Sequence, residues 1–178
     1  MHSVESSAPL LPTIVGGILA IAGGFLAKFY QDFRERKSLQ AALAAEIRSF
    51  LEVLDRENMA QFLREQLERI KQENRLPFIP VSFRSTYNTV FSGAASKIGY
   101  LDAGLLNAIV SYYYKVQVLV EYGDVLSANL MDIHNRHAQK DPKEIQEQVT
   151  MLEEMITVVA EIRENAVQLV NKLDPPPS

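Results

Sequence analysis

Between Ser6 and Ala27 the chain carries no charged residue, and Leu10 to Ala27 reads LLPTIVGGILAIAGGFLA. As a helix rising about 1.5 Å per residue, such a stretch covers roughly 27–30 Å, close to the hydrocarbon thickness of a bilayer. Pro9 and Pro12 stand where the helix should begin, and proline costs least in a first turn. Phe25, Phe29, Tyr30 and Phe33 gather at the far end, the position of an interfacial aromatic belt. Lys28, Arg34, Arg36 and Lys37 follow, and all 18 Lys and Arg residues lie beyond position 27. By the positive-inside rule this places the C-terminal side in the cytoplasm and the short N-terminus outside, with the membrane lipid as a direct partner.

Two other readings compete with this one. A cleavable signal peptide wants a basic n-region, which MHSVESSAP lacks, although Ala20-Ile21-Ala22 imitates a cleavage site. A buried helix of a soluble domain would tolerate the four glycines, which lower the hydrophobicity. A single transmembrane anchor is the expectation. Gly16, Ala20 and Gly24 recur every four residues, and Gly23 and Ala27 form a second small pair. In lipid, such stripes let two helix backbones approach closely, so they are the candidate membrane helix-packing residues.

Past the anchor, Leu39, Leu43, Ile47, Phe50 and Leu54 keep a helical period. Asp55-Arg56-Glu57-Asn58 shifts the phase before Leu63, Leu67 and Ile70 resume it: a kink, a new helix or a stutter. Leu76 to Phe83 is an apolar connector with two prolines and cannot be ordinary helix. Ser85 or Thr86 is placed to cap a short helix reaching about Ile98, with Gly99 as its stop. Asp102 then caps a long heptad seam: Leu105, Ile109, Tyr112, Val116, Leu119, Gly123, Leu126, Leu130 and Ile133.

Asp141-Pro142-Lys143-Glu144 sets an N-cap, a first-turn proline and a capping glutamate in order. The seam behind it reads Ile145, Val149, Leu152, Ile156, Val159, Ala166, Val170 and Leu173, widened by Ile162 and Leu169. Arg163 falls within it and should reach out or pair with a carboxylate such as Glu46 or Glu52. Two long helices joined by a tight turn predict an antiparallel hairpin. The fold class expected is all-α: a single N-terminal transmembrane helix continuing into an antiparallel helical bundle. The domains are then a short extracytoplasmic tail over 1–9, an anchor and belt over 10–33, a cytoplasmic bundle over 34–174 and a Pro-rich tail over 175–178.

The remaining features say little about chemistry. With no Cys among 178 residues, disulfide scaffolds, thiolate zinc sites and cysteine nucleophiles are excluded. A net charge of −4 argues against a nucleic-acid partner. His134 and His137, three apart, are weak metal candidates. A helix C-terminus favours such residues without any ligand, and no Glu-x-x-His pairs suggest a di-metal bundle. There is no phosphate loop, nucleophile elbow or His-Glu-x-x-His motif, hence no expected catalytic residue, cofactor or small-molecule substrate. Candidate partner contacts are Phe78 and Ile79 in the connector and Tyr112, Tyr113 and Tyr114 in the seam. Three successive helical positions point about 100° apart, so one or two of those tyrosines should be core while another reaches the surface.

Arg34 to Lys37, Ala41 to Arg48, and Lys97 to Asp102 with Ile109 to Tyr113 carry a resemblance over about a third of the chain. It resembles an uncharacterised family of small bacterial single-pass membrane proteins with a helical soluble region. The resemblance implies a fold and an address, the bacterial inner (cytoplasmic) membrane, and no activity. The function expected is a non-enzymatic structural, accessory or interaction subunit, self-associating or part of a larger membrane complex. A membrane-tethered sensor or signalling module is the alternative, and a metal-binding bundle or enzyme the second.

Overall fold

The structure, a computed structural model, describes the backbone of residues 10–73, 88–136 and 141–175, and the side chains of 23–73, 88–128 and 141–175. Five helices account for it: α1 (Leu10–Arg56), α2 (Met59–Glu73), α3 (Thr89–Gly93), α4 (Ala103–Arg136) and α5 (Pro142–Leu173). No strand occurs among the described residues. The chain divides into two compact units, residues 1–38 and 39–178. The connector around Phe78 and Ile79, the Ser85 and Thr86 caps, and His137 lie outside the described residues, as do the side chains of Leu130, Ile133 and His134.

In the first unit only the stretch from Gly23 to Ser38 has described side chains, and nearly all of them are exposed. Among the described residues no helix is long and apolar enough to cross a membrane. Gly16 and Ala20 fall in the part of α1 whose side chains are not described.

The second unit is a bundle. Leu39, Leu43, Ile47, Phe50 and Leu54 line the inner face of α1, and Leu63, Leu67 and Ile70 that of α2, all buried as the helical period requires. The phase shift between them is a true helix break. Asn58 adopts φ 42, the left-handed region that asparagine tolerates better than most residues. Its carbonyl then accepts from the N–H of Gln61 and of Phe62 (2.9 and 3.0 Å), which starts α2 at once.

The expected caps start α4 and α5. Asp102 Oδ1 accepts from Leu105 N–H at 2.9 Å. Asp141 Oδ1 accepts from Lys143 N–H at 2.9 Å with Pro142 in the first turn. These bonds satisfy donors that a helix start leaves without a partner. Lys115–Glu161 (2.6 Å) and Tyr122–Glu154 (2.8 Å) join rising positions of α4 to falling positions of α5, so the two helices are antiparallel. Arg48–Asp174 (2.8 Å), Asp55–Arg163 (3.2 Å) and Lys71–Glu153 (3.0 Å) show the same sense for the second half of α1, and then α2, along α5. One continuous core unites them, with Leu43, Ile47, Leu63, Ile109, Leu119, Leu152, Met155 and Ile162 among its fully buried members.

Three expectations need correction. The segment before α4 is not one helix to Ile98: α3 ends at Gly93, residues 94–97 form turns, and Ile98–Tyr100 is a 3-10 turn. Gly99 sits inside that turn without a positive φ, so it is no left-handed stop, and the chain leaves through the extended Leu101. On α5 Ile162 and Leu169 are buried as expected, but Met155 takes the inward place expected of Ile156, and Arg163 lies outside the buried stripe. Arg163 is exposed and pairs with Asp55, not with Glu46 or Glu52. Ile162, one position away, takes the inward face, which spares the guanidinium its desolvation cost.

Candidate functional site

Two places gather chemistry. The first is the aromatic and basic collar of α1. Phe25, Leu26, Phe29 and Tyr30 are each between 63 and 74% exposed and Phe33 is half exposed. Lys37 Nζ lies 4.9 Å from the Phe33 ring centroid, a cation–π contact at the edge of this apolar group. Gln31 Nε2 donates to Glu35 Oε1 at 3.1 Å, four residues on. Lys28, Arg34, Arg36 and Lys37 interleave with the aromatic rings as the sequence predicts. Exposed aromatic rings in such number are costly in water, and rings with wet cationic neighbours suit a membrane–water boundary.

The second place was not foreseen. Glu46 on α1 accepts hydrogen bonds from Val90 N–H (2.7 Å) and Phe91 N–H (3.2 Å) of α3 and from the Tyr113 hydroxyl of α4. The Phe91 ring stacks on Tyr113 at 4.2 Å, and Tyr112 meets Tyr113 edge-on at 5.1 Å. One carboxylate thereby ties three helices and supplies two N–H groups at the start of α3 with an acceptor. The available sign was a lone acid on the flank of the alanine-rich stripe between Leu43 and Ile47, where a carboxylate needs a donor from another element.

The two inner tyrosines are held in their neutral form. Burial pushes the Tyr113 phenol well above its ordinary value, reinforced by its hydrogen bond to Glu46 and by the charge of that carboxylate and of Tyr112. Burial, then the Glu46 charge, raises Tyr112 as well. Tyr112 Oη finds no hydrogen-bond partner among the described residues. Both phenols therefore keep their protons near neutrality. Tyr122, on the surface, is raised by its hydrogen bond to Glu154.

Of the three consecutive tyrosines, Tyr112 and Tyr113 are core, 1 and 5% exposed, and are packing residues; Tyr114 is 68% exposed and alone of the three faces outward. Among the described residues no group of three or more His, Asp or Glu side chains could hold a metal ion. No family model matches the chain, and neither a curated protein nor a solved structure matches it.

Proposed function

We propose that this chain is a membrane-anchored, non-enzymatic helical protein that serves as a structural or interaction subunit, paired with copies of itself or joined to a larger membrane complex. One observation carries the reading: within α1 the uncharged stretch ending at Ala27 passes directly into an exposed collar of aromatic and basic residues. That order of apolar run, aromatic belt and cations is the one a lipid bilayer selects, because each group finds its preferred depth. Lipid is the first partner. The one-sided placement of the cations orients the chain with residues 1–9 outside and the 34–174 bundle in the cytoplasm, and the address proposed with it is a bacterial inner membrane.

Fractionation of cells expressing the full chain tests this. The protein is expected in the membrane pellet and to resist carbonate extraction, while Leu19→Arg with Ile21→Arg shifts it to the soluble fraction. Full-length protein that is soluble without detergent overturns the anchor. A second reading, a tethered sensor, has the break at Asn58 in its favour, since a left-handed residue between α1 and α2 is a natural point of bending.

A further inference from the structure

The collar is not uniform around the helix. At about 100° per residue, Phe25, Arg36, Phe29, Phe33, Lys37 and Tyr30 fall within an arc roughly 140° wide. The opposite side holds Ala27, Gln31, Glu35 and Ser38 with no aromatic ring among them. There the surface forms a shallow groove lined by Ala27, Gln31, Arg34, Glu35 and Ser38, with Tyr30 of the aromatic arc at its edge. A lone helix at a membrane boundary meets lipid on every side and has no reason to sort its rings to one of them. Sorting implies that the two arcs meet different surroundings.

Charge identifies the occupant of the groove. Arg34 stands on one margin of the Ala27–Gln31–Ser38 line and Glu35 on the other, one residue apart and so at nearly the same height. When two copies of this helix lie parallel about a two-fold axis, opposite margins face each other. Arg34 of each copy then meets Glu35 of the other, twice by symmetry. Ala27, Gln31 and Ser38 fall within about 40° of one another, a narrow line along the helix between these two margins.

We propose that this face of α1 is the pairing surface for a second copy of the chain, in parallel, with the aromatic arc left to lipid. The proposal rests on the membrane anchor for its orientation, since chains inserted with one topology can pair only in parallel. It names the partner that the function above leaves open.

Because the chain has no cysteine, single cysteines report the face directly. Gln31→Cys and Ser38→Cys probe the groove; Phe29→Cys and Arg36→Cys probe the opposite arc. Each full-length variant is oxidised in its native membranes and read on a non-reducing gel. A disulfide needs Cβ atoms about 4 Å apart, so dimer of twice 20.0 kDa is expected about tenfold more from positions 31 and 38 than from 29 and 36. On the Ser38→Cys background, Arg34→Glu or Glu35→Arg alone is expected to cut the dimer about fivefold, as loss of pairs worth about 1 kcal/mol would. The combined swap restores it.

Equal crosslinking at all four positions, preference for 29 and 36, crosslinks to a different protein, or indifference to both charge reversals each overturns the proposal. Absence of dimer from protein that still resists carbonate removes the pairing and leaves the anchor standing. Soluble protein that crosslinks at 31 and 38 with the charge dependence intact removes the anchor and supports the pairing.

Discussion

Glu46 of α1 and Tyr113 of α4, 67 residues apart in sequence, are joined by a hydrogen bond from the phenol to the carboxylate. The same carboxylate takes the Val90 and Phe91 N–H groups, so one side chain of α1 holds both the short α3 and α4. α3 has no fully buried residue of its own. Its position depends on that carboxylate, on the stacking of Phe91, and on the buried Ala94 and Leu101 that follow. Removing the carboxylate would leave those three part-buried donors without this acceptor.

Adjacent tyrosines should therefore respond oppositely to the same deletion. Tyr113→Phe loses a charge-assisted hydrogen bond and is expected to cost about 1.5–3 kcal/mol. Tyr112→Phe removes a buried hydroxyl without a partner among the described residues and should be neutral or slightly stabilising. Glu46→Ala, which strips three donors of their acceptor, should exceed Tyr113→Phe. Denaturant unfolding of the three variants decides it, and equal losses at 112 and 113 would count against the geometry.

The same pair sets an alkaline limit. Both phenols are raised above the ordinary value of 10.0, chiefly by burial. In the unfolded chain each releases its proton near pH 10. Below that pH both states hold the proton and the stabilisation is complete. Above it the native state binds more protons than the unfolded one, so stability falls as pH rises, by about 1 kcal/mol per pH unit for each tyrosine. Tyr113→Phe should remove one share of that slope. Unfolding free energies of parent and variant between pH 9 and 11.5 should converge, because the more stable parent falls faster; parallel curves would contradict the burial argument.

Arg163 separates the expected seam of α5 from the observed one. Exposed at 64% and paired with Asp55, it should tolerate Arg163→Ala within about 0.5 kcal/mol, since surface pairs contribute little. Leu152→Ala, at a fully buried position, should cost about 2–5 kcal/mol. Thermal melts of the two variants would be comparable only if residue 163 faced the core.

What could be read from the sequence was what local chemistry decides. The Asp102 and Asp141 caps and the apolar periods of α1, α2 and, as far as Leu126, of α4 depend on residues a turn apart, and the structure has them as expected. The stripe of α5 is wider than a strict heptad, with Ile156, Ile162 and Leu169 on neighbouring rows. Which row faces inward is settled by α2 and α4 packing against it, information absent from α5 itself. Met155, Gln66 and Gln148 enter the core for the same reason. The Glu46 cluster unites residues 44 to 67 positions apart, beyond the reach of any spacing rule. The short α3 needs that distant acceptor, which is why a longer helix was expected there. The collar was legible because its aromatic and basic residues follow one another within a single stretch of one helix.

The break between α1 and α2 offers the last test. With φ 42 at Asn58, an alanine there must adopt a left-handed conformation that costs it roughly 1–2 kcal/mol, whereas glycine enters it freely. Both substitutions lose the side-chain bond from Asn58 Nδ2 to Gln61, so their difference isolates the backbone. Asn58→Ala should unfold earlier than Asn58→Gly by about 1 kcal/mol. Had the helix instead run straight through residues 57 and 58, the order would reverse, because alanine favours a helix interior over glycine by about the same amount. Chemical denaturation of the two variants thus reports, by sign alone, whether α1 and α2 are separate helices.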